Sequence, residues 1–233
     1  MRVATGAVDG SGACLAAVTW ATAVLTAALA LLNWIAVARG WFRLEWWTKL
    51  LTMVALIATV LLAGATDDAA GRWLVLALVL GLLGDLALLG DTEGRLLGGV
   101  AAFLLGHLAY LVCFATLGVS VRWWWPLVLV VLVATSWPTR AVVPAAWRRG
   151  GAPLAVPLAA YTLVIAAMTV LAFLTGEPLL ALGASLFVVS DSLIALGLAR
   201  NDFVQDEGSA HVAVMVTYHV SQALLAVGVL LAL

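Results

Sequence analysis

Charge is scarce in this chain, and lysine is almost missing from it. Charged residues fill 10% of the 233 positions, against roughly a quarter in soluble domains. Of the 11 basic residues only Lys49 is a lysine. The net charge of −1 leaves no basic stripe for nucleic acid, which is excluded as a partner. The 2 cysteines, Cys14 and Cys113, both fall inside apolar runs; neither reads as half of a disulfide, and both read as small core residues. No Asn-x-Ser/Thr sequon and no Cys/His group with zinc-finger spacing occurs.

What the chain has instead is apolar length. Hydrophobic residues make up 65% of it and the mean hydropathy is +1.17, the composition of an integral membrane protein. Abundant Ala, Gly, Val and Leu with arginine in place of lysine point to a GC-rich genome and a bacterial cytoplasmic membrane. Apolar runs separated by charge or Gly/Pro predict eight spans at roughly 14–37, 49–65, 72–90, 96–117, 124–143, 154–174, 178–199 and 210–232. Arg2 before the first run resembles the start of a signal peptide, but the run exceeds an h-region and reads as the first span. Pro138 and Pro144 are expected to kink the fifth span or end it early. Connections are short, so residues 1–233 read as one all-α, eight-helix membrane domain.

Basic residues set the expected orientation. Arg39, Arg43, Lys49, Arg95, Arg140, Arg148, Arg149 and Arg200 follow odd-numbered spans, against Arg2, Arg72 and Arg122 on the other side. That asymmetry puts both termini outside. Trp41, Trp46, Trp47, Trp73 and Trp123-Trp124-Trp125 sit at span ends, as interfacial anchors do.

Two acids lie deep in apolar runs, in near-copies of one phrase: Asp85 in LGLLGDLALLG and Asp191 in LFVVSDSLIALG. A carboxylate among hydrocarbon is costly enough to mark a functional site by default. The span after each carries His107-x-x-Tyr110 or His219-x-x-Gln222. A four-span offset keeps the same orientation, the pattern of a parallel internal repeat.

Asp85 lies 13 residues beyond Arg72 and Asp191 lies 13 beyond Pro178. At about 1.5 Å per residue both are about 20 Å from the outer end, near the level His107 and His219 reach from the cytoplasmic side. Helical spacing puts Phe103, Gly106, His107 and Tyr110 on one stripe and Gly183, Phe187, Ser190, Asp191 and Ile194 on another. Gly81, Gly84 and Asp85 form a small-residue face that admits a close neighbour. Tyr218 and Gln222 share a face, and His219 is turned about 100° from Tyr218.

These residues resemble the YhhN-like membrane proteins, whose characterised members are lysoplasmalogenases. The resemblance rests on Gly84-Asp85-x-x-Leu88, Phe103-x-x-Gly106-His107-x-x-Tyr110, the stretch YTLVIAAM from Tyr161 to Met168, Gly183-Ala184-x-Leu186-Phe187-x-x-Ser190-Asp191, and Tyr218-x-x-x-Gln222. Where the family usually has Lys-Pro this chain has Lys49-Leu50, and His219 falls on a variable position. The resemblance implies hydrolysis of the vinyl ether bond of a lysoplasmalogen, a lysophospholipid reached from the bilayer. The products would be a fatty aldehyde and a glycerophospho-ethanolamine or -choline.

Such a bond is cleaved by protonating its β-carbon, which leaves an oxocarbenium ion that water captures. The chemistry calls for one protonated carboxylic acid and one carboxylate, and for no cofactor; Asp85 and Asp191 are the candidates, in either order. His107 would relay protons or place water. Tyr110, Tyr161, Ser190, Tyr218, Gln222 and His219 would support them or line the substrate.

Plainer readings stand beside this one. Either aspartate can serve as an interhelical lock, and Ser190 can bond back to its own helix. His211, beside Asp206 and Glu207, reads as a solvated loop residue, and Asn33 has no assigned partner. Asp67, Asp68, Asp91, Glu93 and Asp202 read as loop acids. Two other functions fit the pattern: a zinc-dependent lipid hydrolase using His107, His219 and one aspartate, and a small proton-coupled transporter. Against the last, spans three and seven contain no internal proline.

Overall fold

The computed structural model describes residues 10–90, 92–119, 125–200 and 209–233. Arg2, Asp91, Arg122, Trp123, Trp124, Asp202, Asp206 and Glu207 lie outside them. Among the described residues every regular element is helical: α1 (Gly10–Ala38), α2 (Phe42–Leu62), α3 (Ala69–Ala87), α4 (Glu93–Leu117), α5 (Trp125–Gly150), α6 (Ala152–Thr175), α7 (Pro178–Arg200) and α8 (Ser209–Ala232). Seven of these are long and apolar enough to cross a membrane; α5 is not in that set among the described residues, and its C-terminal half carries Arg140, Arg148 and Arg149.

Helix ends follow local chemistry. Asp68 caps α3 by accepting from the Ala70 amide at 2.8 Å, and Thr92 caps α4 through the Arg95 amide at 3.3 Å. Gly176 ends α6 in the left-handed region (φ 82°), where a side chain would be strained. Arg95 donates to the carbonyls of Leu86 (2.9 Å) and Ala87 (3.1 Å), satisfying the last turn of α3 just beyond Asp85.

Two expected boundaries are corrected. The second helix begins at Phe42 rather than at residue 49, because the polar first turn with Arg43 and Glu45 is helical too. Lys49 is therefore two turns inside α2, not in a loop. The fifth is helical from Trp125 to Gly150, through both Pro138 and Pro144, so neither proline ends it early.

Neighbouring helices form a closed circuit: α1–α2–α3–α4–α6–α5–α7–α8 and back to α1. α8 also touches α2 and α3, which makes it the most enclosed helix. One core cluster joins Met53, Leu74, Leu78, Tyr110, Phe114, Met168, Phe187, Tyr218 and Leu225 across α2, α3, α4, α6, α7 and α8. α1 packs chiefly on α2 and α8 and leaves most of its surface outward. Cys14 is consequently exposed, and the expectation of a core residue holds for Cys113 alone.

Candidate functional site

Small residues bring the key helices together. A Cβ on Gly84 would stand 2.7 Å from the Phe103 ring of α4, and one on Gly81 would stand 3.2 Å from Gln222 Nε2 of α8. Glycine at these places lets α4 and α8 approach α3 at the level of Asp85.

Asp85 is held from two sides. Its Oδ1 lies 3.0 Å from Lys49 Nζ of α2, and its Oδ2 accepts from the Tyr218 hydroxyl of α8 at 2.7 Å. Its side chain is 1% exposed. A buried charge of either sign is expensive alone, whereas the pair is neutral.

Asp191 has a different setting. Its Oδ2 accepts from the Tyr161 hydroxyl of α6, and His107 Nε2 of α4 stands 3.9 Å away. Its side chain is 18% exposed. His107 Nδ1 lies 2.6 Å from the Phe103 carbonyl oxygen, which can only accept, so Nδ1 carries the proton. In the neutral ring, Nε2 is then a bare lone pair, and no hydrogen-bond partner reaches it.

The two aspartates do not share a hydrogen bond among the described residues. Aromatic rings stand between their clusters: Phe187 packs edge-on against His107 at 4.6 Å and against Tyr218 at 5.8 Å between centroids. Beside this wall Tyr110 donates to Gln222 Oε1 at 2.5 Å. A gap too narrow for a water-sized sphere lies here, lined by Gly81, Phe103, His107, Tyr110, Phe187 and Gln222 among others. Ligand pockets usually span about 300 Å³ or more, so the bundle is closed around the site.

Two expected site residues point elsewhere, and two residues read as unengaged find partners. His219 Nδ1 accepts from Trp34 Nε1 of α1 at 3.1 Å, and its ring stacks on that indole away from the gap. Ser190 bonds the Val214 carbonyl of α8 at 3.2 Å rather than its own helix, so it clasps α7 to α8. His211 is not a solvated loop residue: it opens α8 and its Nε2 lies 3.0 Å from Glu45 Oε1 of α2. Asn33, left without a partner by the sequence, donates to the Glu45 carbonyl and to Thr48 Oγ1, both at 3.0 Å.

Lys49 and Trp34 are the residues that sequence reasoning missed. A lone lysine in an arginine-using chain was the available signal for the first. Nothing in the residues around Trp34 marks it. No three His, Cys, Asp or Glu side chains converge among the described residues, so the donor set for a catalytic zinc is not assembled.

His107 with its unpartnered Nε2, the Tyr161-bound carboxyl beside it and a closed apolar bundle together suit acid–base chemistry. Comparison with known proteins gives one match: a family model, described as the YhhN family, covers residues 44–229. No curated protein and no solved structure matches the chain.

Proposed function

The chain belongs to the YhhN family, and from that premise we propose that it is a lysoplasmalogenase-like hydrolase of vinyl ether bonds in lysophospholipids. One observation carries the reading: Asp191, the more open of the two acids, adjoins a bare imidazole nitrogen. Asp191 gives its proton to the β-carbon, and the α-carbon becomes an oxocarbenium ion. Water bonds to that carbon and passes a proton to His107 Nε2. The hemiacetal proton moves to the glycerol oxygen as the carbon–oxygen bond breaks, freeing aldehyde and glycerophospho-alcohol. His107 then returns its proton to Asp191, and the cycle closes without a cofactor. Tyr161 holds the Asp191 carboxyl in place throughout, and Asp85 contributes through Tyr218, which hydrogen-bonds Gln222 at the gap.

The substrate reaches the site sideways from the bilayer, in a cytoplasmic membrane with both termini outside and α5 as an eighth span. Setting Lys49 aside as an internal residue, Arg39, Arg43, Arg95, Arg140, Arg148, Arg149 and Arg200 still outnumber Arg2, Arg72 and Arg122. A parallel repeat of two four-helix halves is part of the same reading. Asp85 on α3 is bound from α2 and α8, and Asp191 on α7 is bound from α6 and α4. Moving four helices along the chain, with α8 wrapping to α4, turns one set of contacts into the other.

The test is aldehyde release. Purified protein in detergent should free a fatty aldehyde from a 1-alkenyl glycerophospho-ethanolamine or -choline, and Asp191→Asn should abolish it in a protein that still folds. Flux of substrate across liposomes with no product would instead favour transport.

A further inference from the structure

We propose that Lys49 is a positioning residue of this site, acting with Asp85 as one neutral unit that fixes the Tyr218 hydroxyl and, through it, the Gln222 amide at the gap. The proposal rests on the hydrolase reading above and adds a residue to it.

Lys49 lies seven residues into α2 and is buried. Its ammonium occupies one oxygen of Asp85 at 3.0 Å while Tyr218 occupies the other at 2.7 Å. Both carboxylate oxygens are thus engaged, and the side chain is closed off from the gap. A carboxylate this near an ammonium presents little net charge to anything beyond the pair. What the pair can impose is geometry. The Tyr218 proton is committed to Asp85, so the phenol oxygen keeps only lone pairs for its other side. That oxygen would lie 3.6 Å from a Cβ on Gly81, and Gly81 lines the gap. Its lone-pair side takes a side-chain hydrogen bond from Gln222, which lines the gap and whose Oε1 accepts from Tyr110, so Tyr218 holds the Gln222–Tyr110 pair in place. Without Lys49 the carboxyl is free to protonate and turn, and the phenol loses its fixed direction.

The experiment compares the full chain in detergent with Lys49→Met, Asp85→Asn, the double variant and Lys49→Arg. It reads kcat and KM for aldehyde release from a 1-alkenyl glycerophosphocholine on monodisperse protein, and thermal melting of each. Lys49→Met and Asp85→Asn should each lower kcat by roughly tenfold or more with KM changed less than about twofold. Lys49→Arg should retain most of the rate. Removing both charges should recover kcat and melting temperature above the worse single variant, because neither charge is then stranded. Lys49→Met with parental kcat per folded molecule would overturn the positioning role, and so would a double variant whose losses simply add. If the parent protein releases no aldehyde, the hydrolase reading fails instead. The melting cycle then decides the Lys49–Asp85 unit alone, with additive losses counting against it.

Discussion

His107 Nε2 stands 3.9 Å from Asp191 Oδ2, while the other nitrogen of the same ring is tied to the Phe103 carbonyl at 2.6 Å. The tie fixes the ring's orientation and leaves the free nitrogen facing the acid across a distance too long for a direct hydrogen bond. One water or a small shift closes it.

Removing the acid should stop the reaction with little harm to the fold. Asp191→Asn keeps an acceptor for Tyr161, so the packing survives, but the amide has no proton to give. The expected loss in kcat is roughly 10²- to 10⁴-fold, measured as aldehyde release at saturating substrate. His107→Gln should lower kcat by about a hundredfold, at the milder end of the same range. A His107→Gln protein with full activity would remove the imidazole from the proton path.

Tyr161 is expected to act on Asp191 and on little else. Its hydroxyl donates to Asp191 Oδ2 and its ring packs edge-on against His107 at 5.3 Å between centroids. Tyr161→Phe preserves the ring and deletes one hydrogen bond, an interaction of roughly 1.5–3 kcal/mol once Asp191 has given up its proton and is ionised. That range corresponds to about a ten- to hundredfold fall in kcat. Stopped assays on Tyr161→Phe with an unchanged rate would assign the tyrosine to packing only.

How much of this was legible in the sequence differs from residue to residue. Periodicity placed Phe103, Gly106, His107 and Tyr110 on one stripe, and all four line the gap. The two acids stood out because polar groups among hydrocarbon have few innocent reasons to be there. Their separation into two clusters was not legible, since it depends on which way Phe187 and Phe103 turn between helices. Lys49 looked like a loop cation because the apolar window opens only after it; the polar helical turn before it, anchored by the Glu45–His211 contact, is a tertiary effect. His219 shares its one-residue offset from Tyr218 with a helix face that meets α1, and only the packing of Trp34 reveals that.

The approach of α3 to α4 should be sensitive to a single methyl group. An added Cβ at position 84 would meet Phe103 ring carbons at 2.7 Å, inside van der Waals contact. Gly84→Ala should therefore destabilise the protein by roughly 1–3 kcal/mol, the usual range for overpacking. The Phe103→Leu exchange in the same molecule should restore part of the melting temperature. Equal melting of Gly84→Ala and parent would mean that the two helices can separate at no cost.

Chelation should leave aldehyde release untouched. His107 engages Phe103 and faces Asp191, whereas His219 is turned to Trp34, so the histidines offered by a zinc reading do not meet over one ion. Aldehyde release after dialysis against EDTA should equal that of untreated protein, and added zinc should not raise it. A loss reversed by zinc would show that the donors regroup during turnover and would reopen metal-assisted hydrolysis.

Trp34 gives a way to separate stability from chemistry. Its indole supplies the hydrogen bond that His219 Nδ1 accepts at 3.1 Å inside the bundle. Trp34→Phe leaves that nitrogen buried without a donor, which costs about 1–3 kcal/mol. Melting temperature should fall accordingly, while kcat per folded molecule stays at the parental value, because neither ring lines the gap. A fall in kcat larger than the loss of folded protein would bring His219 back into the proton path, next to Tyr218 rather than beside Asp191.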